Sequence, residues 1–297
     1  MEEQSNMQNS TDGKDIEERN TVVGKRPHKF FDRFTIPGAL VLMIGGLSIG
    51  QLIGMVIGFP LGFLIQDSNA AGAIGIAIAT FPMLALYKFW FRPEFEGNLR
   101  GGDMKTGLVL SLILIPYWLL NVPAGFIFGS AKFGAPTLAT VSMALMAGCS
   151  EEAAFRGLGI SYLMRQWKEE KRIPAIVIIS SVTFGLVHIF NALAGGDLGS
   201  VVNQTIGAAA MGFFFGALYL RSGNLIMPMV THAIHDIIAF LDVSGIQGGV
   251  IVSGVDWTSY LDTGLTIVLG LIGLWLVRPA KQAEIRAMWD NKWNIQR

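Results

Sequence analysis

Residues 134–164 read GAPTLATVSMALMAGCSEEAAFRGLGISYLM. The run is long enough to cross a bilayer, which takes about 20 predominantly apolar residues. Yet Glu151, Glu152 and Arg156 stand in its middle. Ionisable groups at such a depth are expensive and mark functional sites by default. The stretch therefore requires neighbouring helices that shield it from lipid and carry polar partners for its charges.

Seven further apolar runs flank it, at roughly 36–66, 70–91, 107–129, 174–191, 200–220, 225–241 and 257–277. The expected fold class is thus all-α, a polytopic transmembrane helix bundle of about eight spans. The first and fourth runs are long and must tilt or protrude, and the seventh is short. Composition agrees: 15% of residues are charged, against about a quarter in a soluble domain. Net charge is zero, so no global field favours nucleic acid. The single cysteine, Cys149, cannot close an intrachain disulfide.

Charge placement sets the orientation. Lysine and arginine collect in the N-terminal tail, in the loops after spans two, four and six, and in the C-terminal tail. Only Lys132, on the opposite side, and Arg156, inside a span, fall elsewhere. Both termini are therefore expected in the cytosol. Residues 1–33 are polar and charged, as a disordered cytosolic tail would be; they are too long and too acidic for a signal-peptide n-region, so none is expected. Residues 34–278 form the transmembrane domain, with its core motifs in 134–240. Residues 279–297 read as a cytosolic or interfacial amphipathic tail, with Ile285, Trp289 and Trp293 four apart and the indoles expected at the headgroups. Gly46, Gly50, Gly54, Gly58 and Gly62 form a smooth stripe against which another helix can pack closely, intrachain packing being preferred over a second copy.

Apart from span-edge residues, nearly all the remaining intramembrane ionisable groups are His188 on the fifth span and His232, His235 and Asp236 on the seventh. Glu152 and Arg156 are four apart and can pair, as can His232 and Asp236. Glu151 is turned about 100° from Glu152, so it is not the natural partner of the arginine and can face a cavity instead. His235 reaches that cavity or packs. Glu151 and His188 lie about 21 and 22 Å of helix rise from the cytosolic ends of their spans, but His232 only about 12 Å. The three meet only if the turn Arg221–Asn224 is recessed or the seventh helix tilts.

A carboxylate can take a proton from water, and histidine can hold that water or donate to an oxyanion. The same groups could bind a divalent metal that activates water. Either route hydrolyses a peptide bond in a wet pocket within the bilayer. Other intramembrane protease chemistries fit less well. No histidine is followed by glutamate, as a zincin helix needs; Gly148-Cys149-Ser150-Glu151 lacks the second glycine of a Gly-x-Ser-Gly serine site; and the Gly-Gly-Asp runs at 101–103 and 195–197 are in loops, unlike the Gly-x-Gly-Asp of a membrane aspartyl protease.

Glu151-Glu152-Ala153-Ala154-Phe155-Arg156 resembles the signature Glu-Glu-x-x-x-Arg, Phe184-Gly185-Leu186-Val187-His188 resembles Phe-x-x-x-His, and His232-Ala233-Ile234-His235-Asp236 resembles His-x-x-x-Asn/Asp. In this order on three spans they are similar to the CPBP family, the type II CAAX prenyl proteases and bacteriocin-processing (Abi) proteins. The resemblance implies that Glu151 activates water with help from His188, and that His232 and Asp236 stabilise the oxyanion or complete a metal site. It implies that Glu152 and Arg156 pair to hold the fourth helix, with Phe184 packing beside the site. Members have been described both as metalloproteases and as metal-independent glutamate proteases. Zinc held by Glu151, His188, His232 and Asp236 is therefore one expectation and a metal-free mechanism the other. An ionised aspartate cannot donate to an oxyanion as asparagine can, which leans towards a metal-competent site. The implied partner is a membrane-associated protein or peptide, prenylated by family expectation, met in the membrane of a bacterial cell. Two non-protease functions use the same residue types: a proton- or ion-coupled transporter, and a non-enzymatic immunity or scaffold protein.

Overall fold

Each of the eight apolar runs is helical in the computed structural model, which describes residues 31, 33–91, 94–129, 131–243, 246–247, 250–251 and 254–294. The tail at 1–33 lies outside the described residues apart from Phe31 and Arg33. The chain divides into two units, Met1–Gly38 and Ala39–Arg297, and the site belongs to the second. The helices are α1 (Thr35–Ile65), α2 (Ser68–Phe91), α3 (Met104–Phe128), α4 (residues 138–166), α5 (Glu170–Ala192), α6 (Leu198–Ser222), α7 (Ile226–Ala239), α8 (Trp257–Leu276) and α9 (Pro279–Lys292). A two-residue antiparallel ribbon, β1 (Ile246–Gln247) with β2 (Val250–Ile251), lies between α7 and α8. The chain is all-helical in class.

Six of these helices, α1, α2, α3, α5, α6 and α8, are long and apolar enough to cross a membrane. The other two candidates depart for opposite reasons. α7 is apolar but short, whereas α4 is long but carries the three charges.

The glycine stripe has its partner within the chain. A Cβ on Gly58 would come within 2.8 Å of Ala71 O and Gly72 Cα, and one on Gly75 within 2.5 Å of Gly58 N. α1 and α2 thus meet backbone to backbone, with small residues supplying the clearance. α5 and α6 approach similarly: a Cβ on Gly185 would lie 2.7 Å from Thr205 O.

α9 forms as the spacing suggested, but its environment differs. Ile285, Trp289 and Trp293 are buried in protein rather than set among headgroups. Trp289 Nε1 donates to Leu220 O and Trp293 Nε1 to Ser161 O, both at 3.1 Å, and Arg286 Nη1 donates to Trp167 O at 2.8 Å. Leu220 lies in the last turn of α6 and Trp167 just past the end of α4, where carbonyls lack a partner within their own helix. Buried indoles need such acceptors, and the two requirements satisfy each other.

The turn between α6 and α7 is also covered. Ser222, Asn224 and Leu225 are buried, beneath α9 and the connection from α2 to α3. Gly223 takes a left-handed conformation, φ 62°, as the α6 cap.

Lys292, near the end of α9, donates from Nζ to Arg100 O at 2.6 Å. Burial pushes its ammonium down to about 8, opposed by Glu96 and aided by Lys88. The cost of burying its charge is fully present below pH 8. Between pH 8 and the ordinary lysine value of 10.5 the unfolded state binds more protons, so stability rises with pH across that window. Thermal unfolding in detergent over pH 7–11 should show this rise in the wild type and lose it in Lys292→Met; an identical slope in both refutes it.

Candidate functional site

Inside α4, Ala147–Glu151 and Ala153–Ile160 are π-helical. Such widened turns are rare and collect at functional positions. The carbonyls of the widened segment are taken up by other helices and loops: Ser180 Oγ donates to Phe155 O at 3.1 Å and Asn98 Nδ2 to Gly157 O at 2.5 Å. The 100° offset between Glu151 and Glu152 holds only for a regular α-helix. In the wider turn both carboxylates reach the same histidine.

That histidine is His232, on α7. α7 can approach α4 because residue 148 is glycine: a Cβ there would lie 2.5 Å from Met229 O and 2.9 Å from Ala233 N. His232 Nδ1 then sits 2.9 Å from Glu152 Oε1, and the same oxygen accepts from Arg156 Nη1 at 2.9 Å. Glu152 and Arg156 are wholly inaccessible to solvent. Arg156 Nη2 also donates to Gly212 O on α6 at 3.2 Å, and its guanidinium lies 4.6 Å from the Phe184 ring centre. A buried carboxylate that accepts from Nδ1 directs the other imidazole nitrogen away from itself. His232 Nε2 accordingly lies 3.6 Å from Asp236 Oδ2 and 4.0 Å from Glu151 Oε2. Glu151 and Asp236 keep 24% and 20% of their side-chain surface exposed, so this side of the imidazole is open.

His188 opens the 3-10 turn that ends α5. Its Nδ1 is 2.9 Å from Phe184 O, which can only accept, so Nδ1 is the donor in this bond and Nε2 points away from it. His188 and His232 meet the Phe184 ring edge-on, with centroids 5.0 and 6.0 Å away. Phe184 is thus the wedge between the two imidazoles. Phe215 stacks on His232 at 4.9 Å.

The chain therefore gathers Glu151, Glu152, Arg156, His232 and Asp236 directly, with His188 joined to them through Phe184. No hydrogen bond or ion pair links His188 to Glu151 among the described residues. His235 turns elsewhere: its Nδ1 accepts from Trp118 Nε1 at 3.2 Å, and its ring lies 5.7 Å from Tyr117. Beside it is a polar cluster that sequence reading passed over. Tyr117 Oη and Asn121 Nδ2 donate to Asp262 Oδ1 at 2.5 and 2.7 Å, joining α3 to α8. The clue was present in Tyr117 and Asn121, four apart on one face, and in an aspartate six residues into the last span. The bridging role of Glu152 was also missed; in the sequence it showed only as a partner for Arg156.

Among the described residues no group of three His, Cys, Asp or Glu side chains is disposed to hold one metal ion. Glu151, His232 and Asp236 supply donors of the right types, but they are arranged as an ion-pair network about one nitrogen. An apolar cavity of about 350 Å³ lies between α5, α6 and α8, lined by Leu186, Ile206, Phe213, Ile267 and Leu271 among others. It holds none of the ionisable residues.

Residues 133–238 match the family model described as Rce1-like, type II CAAX prenyl endopeptidase. That segment contains all three motifs. No curated protein and no solved structure matches the chain.

The bridging carboxylate gives a thermodynamic prediction. Arg156→Met strands a fully buried Glu152 charge and should cost about 3–5 kcal/mol. Adding Glu152→Gln removes that charge, so the double variant should recover a large part of the loss. Thermal unfolding of the four proteins in detergent measures the coupling; additive losses would show that the pair is not coupled.

Proposed function

We propose that this chain, whose residues 133–238 match the Rce1-like, type II CAAX prenyl endopeptidase family model, hydrolyses a peptide bond of a membrane-associated protein or peptide with water activated at Glu151. The observation that carries the reading is the sorting of two adjacent glutamates. Glu152 is sealed and fully engaged, while Glu151 is open and faces His232 Nε2.

In the proposed mechanism a water enters between Glu151 and His188. His188 Nε2 accepts one of its hydrogens while Glu151 removes the other proton, and the resulting hydroxide attacks the scissile carbonyl carbon. The carbonyl oxygen becomes an oxyanion on the side of His232. Glu152 holds His232 by Nδ1, so its Nε2 is aimed at the reacting atoms without reorganisation. The proton taken by Glu151 passes to the departing amine as the C–N bond breaks. Carboxylate and amine products leave, and Glu151 is again ionised. Asp236 orients His232 from its Nε2 side.

The family relation makes a prenylated substrate the first choice. Such a lipid anchor would hold the peptide at the bilayer surface while the scissile bond enters the wet side of α4 and α7. The proposed topology is eight crossings with both termini in the cytosol: the six long apolar helices, the short α7, and α4 shielded by its neighbours. The proposed setting is a bacterial cell membrane.

The test is cleavage of a quenched fluorescent, farnesylated CaaX-type peptide by the purified protein in liposomes. Glu151→Gln should lower turnover on the order of 10²–10⁴-fold, the usual worth of a general base, with thermal unfolding unchanged. His188→Ala should act in the same direction. Wild-type turnover in Glu151→Gln would sink the reading. Inhibition by a chelator, reversed by zinc, would assign the water activation to a metal; full activity in chelator would assign it to the carboxylate.

A further inference from the structure

All the reacting groups stand on α4, α5 and α7, but the joint that seats α7 against α4 lies in the connection from α2 to α3. Asn98 is buried there. Its Nδ2 donates to Gly157 O at 2.5 Å, next to Arg156 on the widened part of α4, and to Tyr219 Oη on α6 at 3.2 Å. Its backbone carbonyl accepts from Leu225 N at 3.0 Å, one residue before α7 begins. One residue thus ties three helices together where α7 sets out. The residues around it repeat the tie. Asn224 Nδ2 donates to Gly101 O at 3.1 Å, and Asp103 N donates to Ser222 O at 2.6 Å.

The connection is itself held from outside. Glu96 N donates to Lys292 O at 2.8 Å, and Lys292 Nζ donates to Arg100 O. The Phe95 ring stacks on Trp293 at 4.1 Å. Trp289 and Trp293 in turn bond to α6 and α4. Residues far apart in sequence therefore close a ring around the start of α7. Both Asn98 and α9 lie outside residues 133–238.

We propose that Asn98 is a positioning residue for the hydrolytic centre, with α9 as the brace that keeps it seated. The proposal rests on the reading of Glu151 and His232 as that centre. His232 is seven residues from Leu225, about 10 Å along the helix. Without its amide Asn98 loses its hold on α4 and α6, the backbone carbonyl that holds Leu225 N is no longer fixed in place, and α7 shifts at its start with its side chains. The geometry about Nε2 then changes while Glu151 on α4 and His188 on α5 stay in place. Misplacement by about 1 Å can cost on the order of 10²-fold in rate.

Three variants test this in the purified full chain: Asn98→Ala, Asn98→Asp, which keeps the shape and loses the amide donor, and Trp289→Phe, which keeps packing and loses the bond to Leu220. Two measurements are made, kinetics on the farnesylated peptide and hydrogen–deuterium exchange over residues 222–236. Expected are a fall in kcat on the order of 10- to 10²-fold with KM within about twofold, and faster exchange in 222–236 with 200–215 unchanged. Trp289→Phe should move both readouts the same way by less, and it decides the matter if the Asn98 variants do not fold. Unchanged kcat and exchange overturn the proposal, as does faster exchange spread evenly over the chain, which is plain destabilisation. If even the wild type cleaves nothing, the hydrolytic reading fails separately. The exchange pattern then decides alone whether Asn98 seats α7.

Discussion

One carboxylate oxygen, Oε1 of Glu152, accepts at 2.9 Å from both Arg156 and His232. Neither glutamate nor arginine touches solvent. An ionised carboxylate in such a place costs several kcal/mol unless it is paired and hydrogen-bonded, so everything that brings Arg156 and His232 to it is a condition of folding as well as of chemistry. Arg156 comes from the next turn of the same helix. His232 must come from α7, which requires that α7 touch α4. Gly148 permits that contact, the buried turn at 222–225 fixes where α7 starts, and the widened segment 147–160 gives the carboxylates their aim. The membrane-facing helices can be read as the wall that keeps lipid away from this one buried anion.

The widening of α4 has a further consequence. A regular helix satisfies its own carbonyls and has little to offer its neighbours. α4 gives up part of that self-sufficiency, and Ser180, Asn98 and Tyr87 bond to it from three directions. The segment is thereby fixed laterally as well as along its axis. Such outside support is what keeps a constellation of side chains within the tolerance that catalysis demands. It also explains why residues remote in sequence, on the α2–α3 connection and on α9, reach the geometry of the centre at all.

Much of this was legible in the residues alone. The apolar runs gave the helices to within a few residues, because hydropathy in a membrane is a strong and local signal. The motifs at 151–156 and 232–236 held the ionisable residues that the structure gathers about His232, and the motif at 184–188 held the Phe184 that joins His188 to them. What stayed hidden was relational. Spacing within one helix says nothing about which nitrogen of another helix arrives, so the bond from His232 to Glu152 had no sequence signature. The π turns change the phase by which Glu151 and Glu152 were separated. Ile285, Trp289 and Trp293 correctly marked one face of α9, but an apolar face reads alike whether it meets headgroups or protein. Asn98 sits in a polar connection where one more asparagine attracts no notice.

The exposure of the carboxylates argues for a division of labour that their identities could not. Glu151, Glu152 and Asp236 crowd a single imidazole, yet only Glu151 and Asp236 are open. A sealed carboxylate on Nδ1 serves to orient and charge-balance; it cannot exchange protons with substrate or water. Of the two open ones, Asp236 shares its helix with His232 and moves with it, so it is suited to orienting Nε2. Glu151 stands on a different helix, across the gap into which a peptide carbonyl would have to pass. An aspartate at 236 is therefore compatible with a hydrolytic centre even though, ionised, it cannot donate to an oxyanion. In the proposed mechanism the donor that faces the oxyanion is the imidazole, with Asp236 set beside its Nε2.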